Sequence, residues 1–230
     1  MKRLLSVFMC VAILLSFSIN TFAKESDNSK TKPSEIFHQF CQEYFKSPDD
    51  YKVIDKEGND INETFLTDNL ASFNESNIDS IWDYTKKNVS KFSKVLVNNE
   101  DPSVISPYAT VKKDVSEWFY EVETSGVKVP DFEFQYTISG SYTYDIAKGT
   151  ILSYVGPYLS IDYCSLGGVW DYEPTNVSTR GTISSDKYKI TFSASFKMIV
   201  ELTVPIGDIG IPGYTETLGG YYNSFDAYPD

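Results

Sequence analysis

The sequence predicts an α+β protein, with a small helical N-terminal part followed by an all-β antiparallel sandwich-like domain. Three observations carry this. Before about residue 97, apolar residues recur at helical spacing. From Asn98-Asn99-Glu100-Asp101-Pro102 onward, glycine, proline, tyrosine and β-branched residues dominate and alternation takes over. Within that second part Ile190, Phe192, Ala194, Phe196, Met198, Val200, Leu202 and Val204 share one parity. Thr191, Ser193, Ser195, Lys197, Glu201 and Thr203 share the other, and Ile199 is the exception, as expected of a long half-buried strand.

Residues 1–23 read as a cleavable signal peptide. Lys2 and Arg3 precede an apolar stretch from Leu4 to Phe17, and Thr21-Phe22-Ala23 offers a small residue for cleavage before Lys24-Glu25. The apolar core falls short of the roughly 20 residues a spanning helix needs. The expected location is therefore secreted and extracellular after cleavage near Ala23, with no stable membrane anchor in the mature form. Cys10 is no lipoprotein cysteine, because much of the apolar core follows it.

Residues 24–33 are a polar, flexible lead-in. The region 34–97 reads as small and mostly helical. Ser34 caps a helix to about Lys46 whose apolar face is Ile36, Phe37, Phe40, Cys41, Tyr44 and Phe45. Tyr51 to Ile61 reads as a hairpin turning at Glu57-Gly58-Asn59, and Asn62 caps a helix with Phe65, Leu66 and Phe73. The next apolar stripe, Ile81, Trp82, Val89, Phe92 and Leu96, predicts one helix from Ile78.

A linker at 98–104 leads into the antiparallel β-sandwich-like domain, 105–230. Phe134, Tyr136, Ile138, Tyr142, Tyr144 and Ile146 form a strand in which Gly140 occupies the core parity. It turns at Ala147-Lys148-Gly149 and returns through Ile151. Further strands are expected near 108–122, 158–164, 168–173, 177–184 and 214–222; segment 111–122 also fits a helix and is read as strand from its surroundings.

The motif Ser139-Gly140-Ser141-Tyr142-Thr143-Tyr144-Asp145, followed by Gly149-Thr150-Ile151, resembles a pattern recurring in small secreted proteins of low-GC Gram-positive bacteria. The likeness covers about residues 105–230 and rests on β-hairpin motifs. It implies no assigned activity.

Without the signal peptide, which carries Lys2 and Arg3 and no acid, 32 acidic residues face 18 basic ones, a net charge of −14. That balance argues against nucleic acid and anionic lipid surfaces, which need a basic face. Cys41 and Cys164 are too few for a disulfide-dense scaffold; they could form one bridge or stay separate thiols. His38 is the only histidine, so any Ser-His-Asp or Cys-His mechanism would have to use it. His38 and Cys41 stand three apart, but Cys41 lies among Phe37, Phe40 and Tyr44, which points to core packing. The chain carries no GxSxG, P-loop or dinucleotide fingerprint, and no cofactor or metal is expected. Asp55 to Asp60 misses EF-hand spacing and reads as a turn, and the four Asn-X-Ser/Thr sequons read as coincidence in an asparagine-rich chain.

Carboxylates remain as catalytic groups, and aromatic rings as ligand platforms. Seventeen tyrosines and three tryptophans in a secreted β protein suit stacking on sugar rings. The candidate ligand-binding residues are Trp170, Asp171, Tyr172 and Glu173, the rings on one parity and the acids on the other. The leading expectation is a non-enzymatic recognition protein for a glycan, cell-envelope material or a protein partner. The alternative is a carboxylate-dependent glycan hydrolase, which needs two opposed acids such as Asp171 or Glu173 with Glu201, Asp208 or Glu216. A third is a membrane-active, toxin-like β protein, from the Ser/Thr face of 190–204.

Overall fold

The computed structural model describes residues 32–97, 109–124, 129–166, 169–206 and 209–229. The signal peptide, the lead-in as far as residue 31 and the linker 98–104 lie outside them. Helix α1 (Glu35–Lys46) begins where the Ser34 hydroxyl accepts the Phe37 backbone N–H at 3.0 Å, and it buries Phe37, Phe40, Cys41 and Tyr44. Strand β1 (Tyr51–Asp55) follows a short turn at Pro48–Asp50.

After β1 the chain turns at Gly58 (φ 89°), where the Asp55 carboxylate accepts the backbone N–H groups of Glu57 and Asn59 at 3.0 and 2.7 Å. Those hydrogen bonds, the Asn59 side chain first, hold the Asp55 carboxyl below its usual range. The expected hairpin shrinks to this turn. Its return strand is a single bridge between Ile54 and Asp60, and β1 takes its main partner from later in the chain.

Helices α2 (Asn62–Asn74) and α3 (Ile78–Asn88) come next, the second capped by Asn77. Here the structure corrects the sequence. The stripe from Ile78 to Leu96 is not one helix, for α3 ends at Asn88 and Val89–Val97 is strand β2, lying between β1 and β3 (Thr110–Glu123). Val89, Val95 and Val97 are β-branched, and the two neighbouring strands supply a ladder that outweighs a weak helical periodicity. Segment 111–122 is strand, as its surroundings indicated.

Strands β4 (Phe132–Asp145) and β5 (Thr150–Cys164) complete a five-stranded antiparallel sheet in the order β1-β2-β3-β4-β5. Gly149 takes the left-handed position between β4 and β5 (φ 60°). Strands β6 (Trp170–Ile183), β7 (Ile190–Ile206) and β8 (Ile209–Ala227) form a three-stranded antiparallel sheet in chain order. The two strands expected at 168–173 and 177–184 are the single strand β6, with a register shift between Thr175 and Ser178.

Two hydrophobic clusters organise the chain, and β3 feeds both. Phe119 belongs to a cluster shared by β3, β4 and β5 with β7 and β8, whereas Tyr120 belongs to one formed with α1, α2, α3, β1 and β2. Alternation along a strand is what sends neighbours to opposite faces. Cys164 sits in the first cluster and Cys41 in the second; both are buried free thiols, so the bridge left open by the sequence is not formed here. Burial pushes the Cys41 thiol up to about 12 and Cys164 up to about 11, which leaves both protonated and inert near neutral pH. Among the described residues no helix is long and apolar enough to cross a membrane.

Gly140 shows why a core-parity position of β4 lacks a side chain. A Cβ there would stand 2.8 Å from the ring of Phe192, which is fully buried. Gly140→Val is expected to lower unfolding free energy by about 1–3 kcal/mol through overpacking, read as an earlier urea midpoint at unchanged slope. Full stability in that variant would mean that the Phe192 ring can move aside.

Candidate functional site

The residues singled out on β6 are only partly brought together. β6 is an edge strand pairing with β7, with Asp171 opposite Glu201, Tyr172 opposite Val200 and Glu173 opposite Ile199. Cross-strand partners share a face, so Tyr172 pairs with Val200 and Asp171 with Glu201, and at this edge Tyr172 remains 38% exposed although Val200 is buried. Trp170 is half-buried against the cluster shared by the sheets and does not line the depression beside it. Asp171, Tyr172, Glu173, Ile199 and Glu201 line a shallow 250 Å³ depression, and Thr203 donates to Asp171 at 3.0 Å. His38 is exposed on α1 while Cys41 is buried, so the two do not form a pair.

A better-built site lies between α1 and the five-stranded sheet. Register places Tyr51, Lys94 and Trp118 side by side across β1, β2 and β3. One flank of α1, Ile36, Gln39, Phe40 and Glu43, runs along this row at helical spacing, and Gln135 of β4 lies beside it. Together these residues enclose a groove of 320 Å³.

The groove is walled by rings. The Trp118 ring lies 6.0 Å from Phe40, stacked at 29°, and 6.4 Å from Tyr51, edge-on at 79°. Lys94 is held 4.7 Å over the Tyr51 ring and 3.2 Å from Asp50, so its charge is already engaged. Tyr51 donates to Glu43 at 3.5 Å, and burial raises its phenol above the ordinary range against the opposing pull of Lys94. Gln39 and Gln135 each bring an amide that can donate and accept together. Such a set offers apolar ring faces flanked by two amides and one carboxylate, which between them donate and accept hydrogen bonds.

None of these seven polar or aromatic groups was legible as a site from sequence. They come from five elements, and only strand register makes Tyr51, Lys94 and Trp118 neighbours. The sole sequence signal was the polar flank of α1 at Gln39 and Glu43 beside its apolar stripe. No family model, no curated protein and no solved structure matches this chain.

Proposed function

We propose that the chain is a secreted, non-enzymatic recognition protein that binds carbohydrate in the groove between α1 and the five-stranded sheet. The observation that carries this is the half-buried Trp118 ring, flanked by Gln39, Glu43 and Gln135 in a groove whose size suits one or two sugar rings. The signal-peptide pattern and the acidic balance fit an extracellular ligand such as a cell-envelope glycan. The likeness of residues 105–230 to small secreted proteins of low-GC Gram-positive bacteria belongs to the same reading. So does a sandwich of the two sheets behind a helical N-terminal part.

Binding is favoured over hydrolysis here because the groove lining holds one carboxylate, Glu43, and glycoside cleavage needs two in opposition. Against a membrane-active role stands the burial of the apolar side of β7, from Ile190 to Val200, in the core.

The test is binding of the mature chain to insoluble Gram-positive cell walls by co-sedimentation, with release by soluble wall glycan. Trp118→Ala is expected to weaken binding by about tenfold or more. The double variant Trp170→Ala with Tyr172→Ala is expected to bind like the parent. The reverse pattern would move the site to β6, and protein left wholly in the supernatant would reject envelope binding.

A further inference from the structure

A second pocket, of 430 Å³, opens where β2 and β3 meet β8, and its character is the opposite of the groove's. Charged side chains line it, two cationic, Lys56 and Lys91, and two acidic, Glu121 and Glu123. Their arrangement is unusual for a structural ion pair. Lys91 makes no ion pair among the described residues; its ammonium donates to the Asn223 side-chain oxygen Oδ1 and lies 5.9 Å over the Phe119 ring. Asn223, only 3% exposed, uses its amide N–H groups on Glu121 Oε1, at 3.0 Å, and on the Tyr136 hydroxyl. Tyr136 in turn donates to the same Glu121 oxygen. Asn223 is thus a spacer that ties Lys91 to Glu121 while holding the two charges apart. Glu123 is fixed separately, by the Tyr221 hydroxyl at 2.9 Å.

Holding opposite charges apart in a partly dry pocket is costly, since neither desolvation is offset by direct contact. Burial pulls the Lys91 ammonium down and pushes the Glu121 carboxyl up from their ordinary values. A neutral sugar would leave both charges uncompensated, whereas a ligand carrying both signs would offset them together. The backbone lining the pocket is also irregular. Two residues of β8, Gly219 and Gly220, oppose one of β7 in a bulge, with Gly219 at φ 79°.

We propose that this pocket binds a small zwitterion of the amino-acid type, its carboxylate toward Lys91 and Lys56 and its ammonium toward Glu121 and Glu123. The site shares no residue with the groove, so the two readings stand or fall separately.

The experiment is a calorimetric and amide-NMR titration of the mature chain with glycine, alanine and lysine, with acetate, ethylamine and glucose as controls. At least one amino acid is expected to bind and to shift amides of residues 89–91, 121–124 and 219–223. Acetate, ethylamine and glucose are expected to bind at least about tenfold more weakly. Lys91→Met and Glu123→Gln are each expected to cut affinity about tenfold or more, while Trp118→Ala leaves it unchanged. No binding by any of the amino acids, acetate binding as well as they do, or a Glu123→Gln variant of parental affinity would each overturn the proposal.

Discussion

Between about pH 4.5 and pH 8 the protein is expected to lose up to about 3 kcal/mol of unfolding free energy through one carboxyl, Glu133, and the Glu133→Gln variant is expected to lack that loss. Glu133 lies on β4 beneath α1 and is 1% exposed. Its Oε2 accepts from the Tyr120 hydroxyl, and Oε1 has no hydrogen-bond partner among the described residues. Tyr120 stacks on Phe40 of α1 at 5.1 Å and 8°, so the carboxyl is roofed by rings. The neighbours that bear on it are Tyr120, the Cys41 thiol from α1, and Tyr163 and Cys164 from β5; no cation among the described residues offsets its charge.

Burial therefore pushes Glu133 from 4.5 up to about 7, the Tyr120 hydrogen bond opposing. The folded state holds the proton more tightly than the unfolded chain. The stabilisation is complete below the unfolded value near 4.5, falls as pH rises through 7, and is gone above it. Burial raises the Glu117 and Glu121 carboxyls as well, so the parent's slope contains their contributions in the same direction. The comparison with Glu133→Gln isolates one group, because glutamine keeps an acceptor for Tyr120 and cannot ionise. Urea unfolding at pH 4.5 and pH 8 decides it. A difference between the two proteins that does not change with pH would show that Glu133 titrates normally.

What could be read from the sequence follows a physical divide between local and long-range information. The alternation along β7 and the glycine that ends the β4–β5 hairpin are local, because side-chain period and a left-handed turn are set within a few residues. The end of α3 was not legible. Val89 and Phe92 stand three apart, which suits a helix, and both are buried in β2 because a register shift opposite Ile54 and Asp55 falls between them. Strand β2 is chosen by pairing with β1 some 40 positions upstream and with β3 downstream. Sites fared worse for the same reason. Trp170 and Tyr172 share one parity, but nothing local said that Trp170 would pack half-buried against the cluster between the sheets while Tyr172 stays 38% exposed. Lys91 and Asn223, 132 positions apart, meet only because the two sheets share a cluster through β3 and β8.

That sharing also fixes what the loss of one ring should do. Phe92→Ala is expected to lower unfolding free energy by about 3–5 kcal/mol, a large part of the roughly 5–15 kcal/mol available to a domain. Phe92 is fully buried on β2, and its ring lies 4.5 Å from Phe40, 5.2 Å from Phe65 and 5.9 Å from Tyr120. The substitution removes a contact common to α1, α2 and β3 and leaves a cavity that these rings cannot close without moving the helices. Because Phe119 and Tyr120 are consecutive on β3 yet belong to different clusters, loosening one cluster shifts the strand on which the other is built. The expected result is a single urea transition at a lower midpoint, with tryptophan fluorescence and far-ultraviolet circular dichroism falling together. Two separated transitions, the helical signal lost first while the β signal persists, would show that β3 does not couple the clusters.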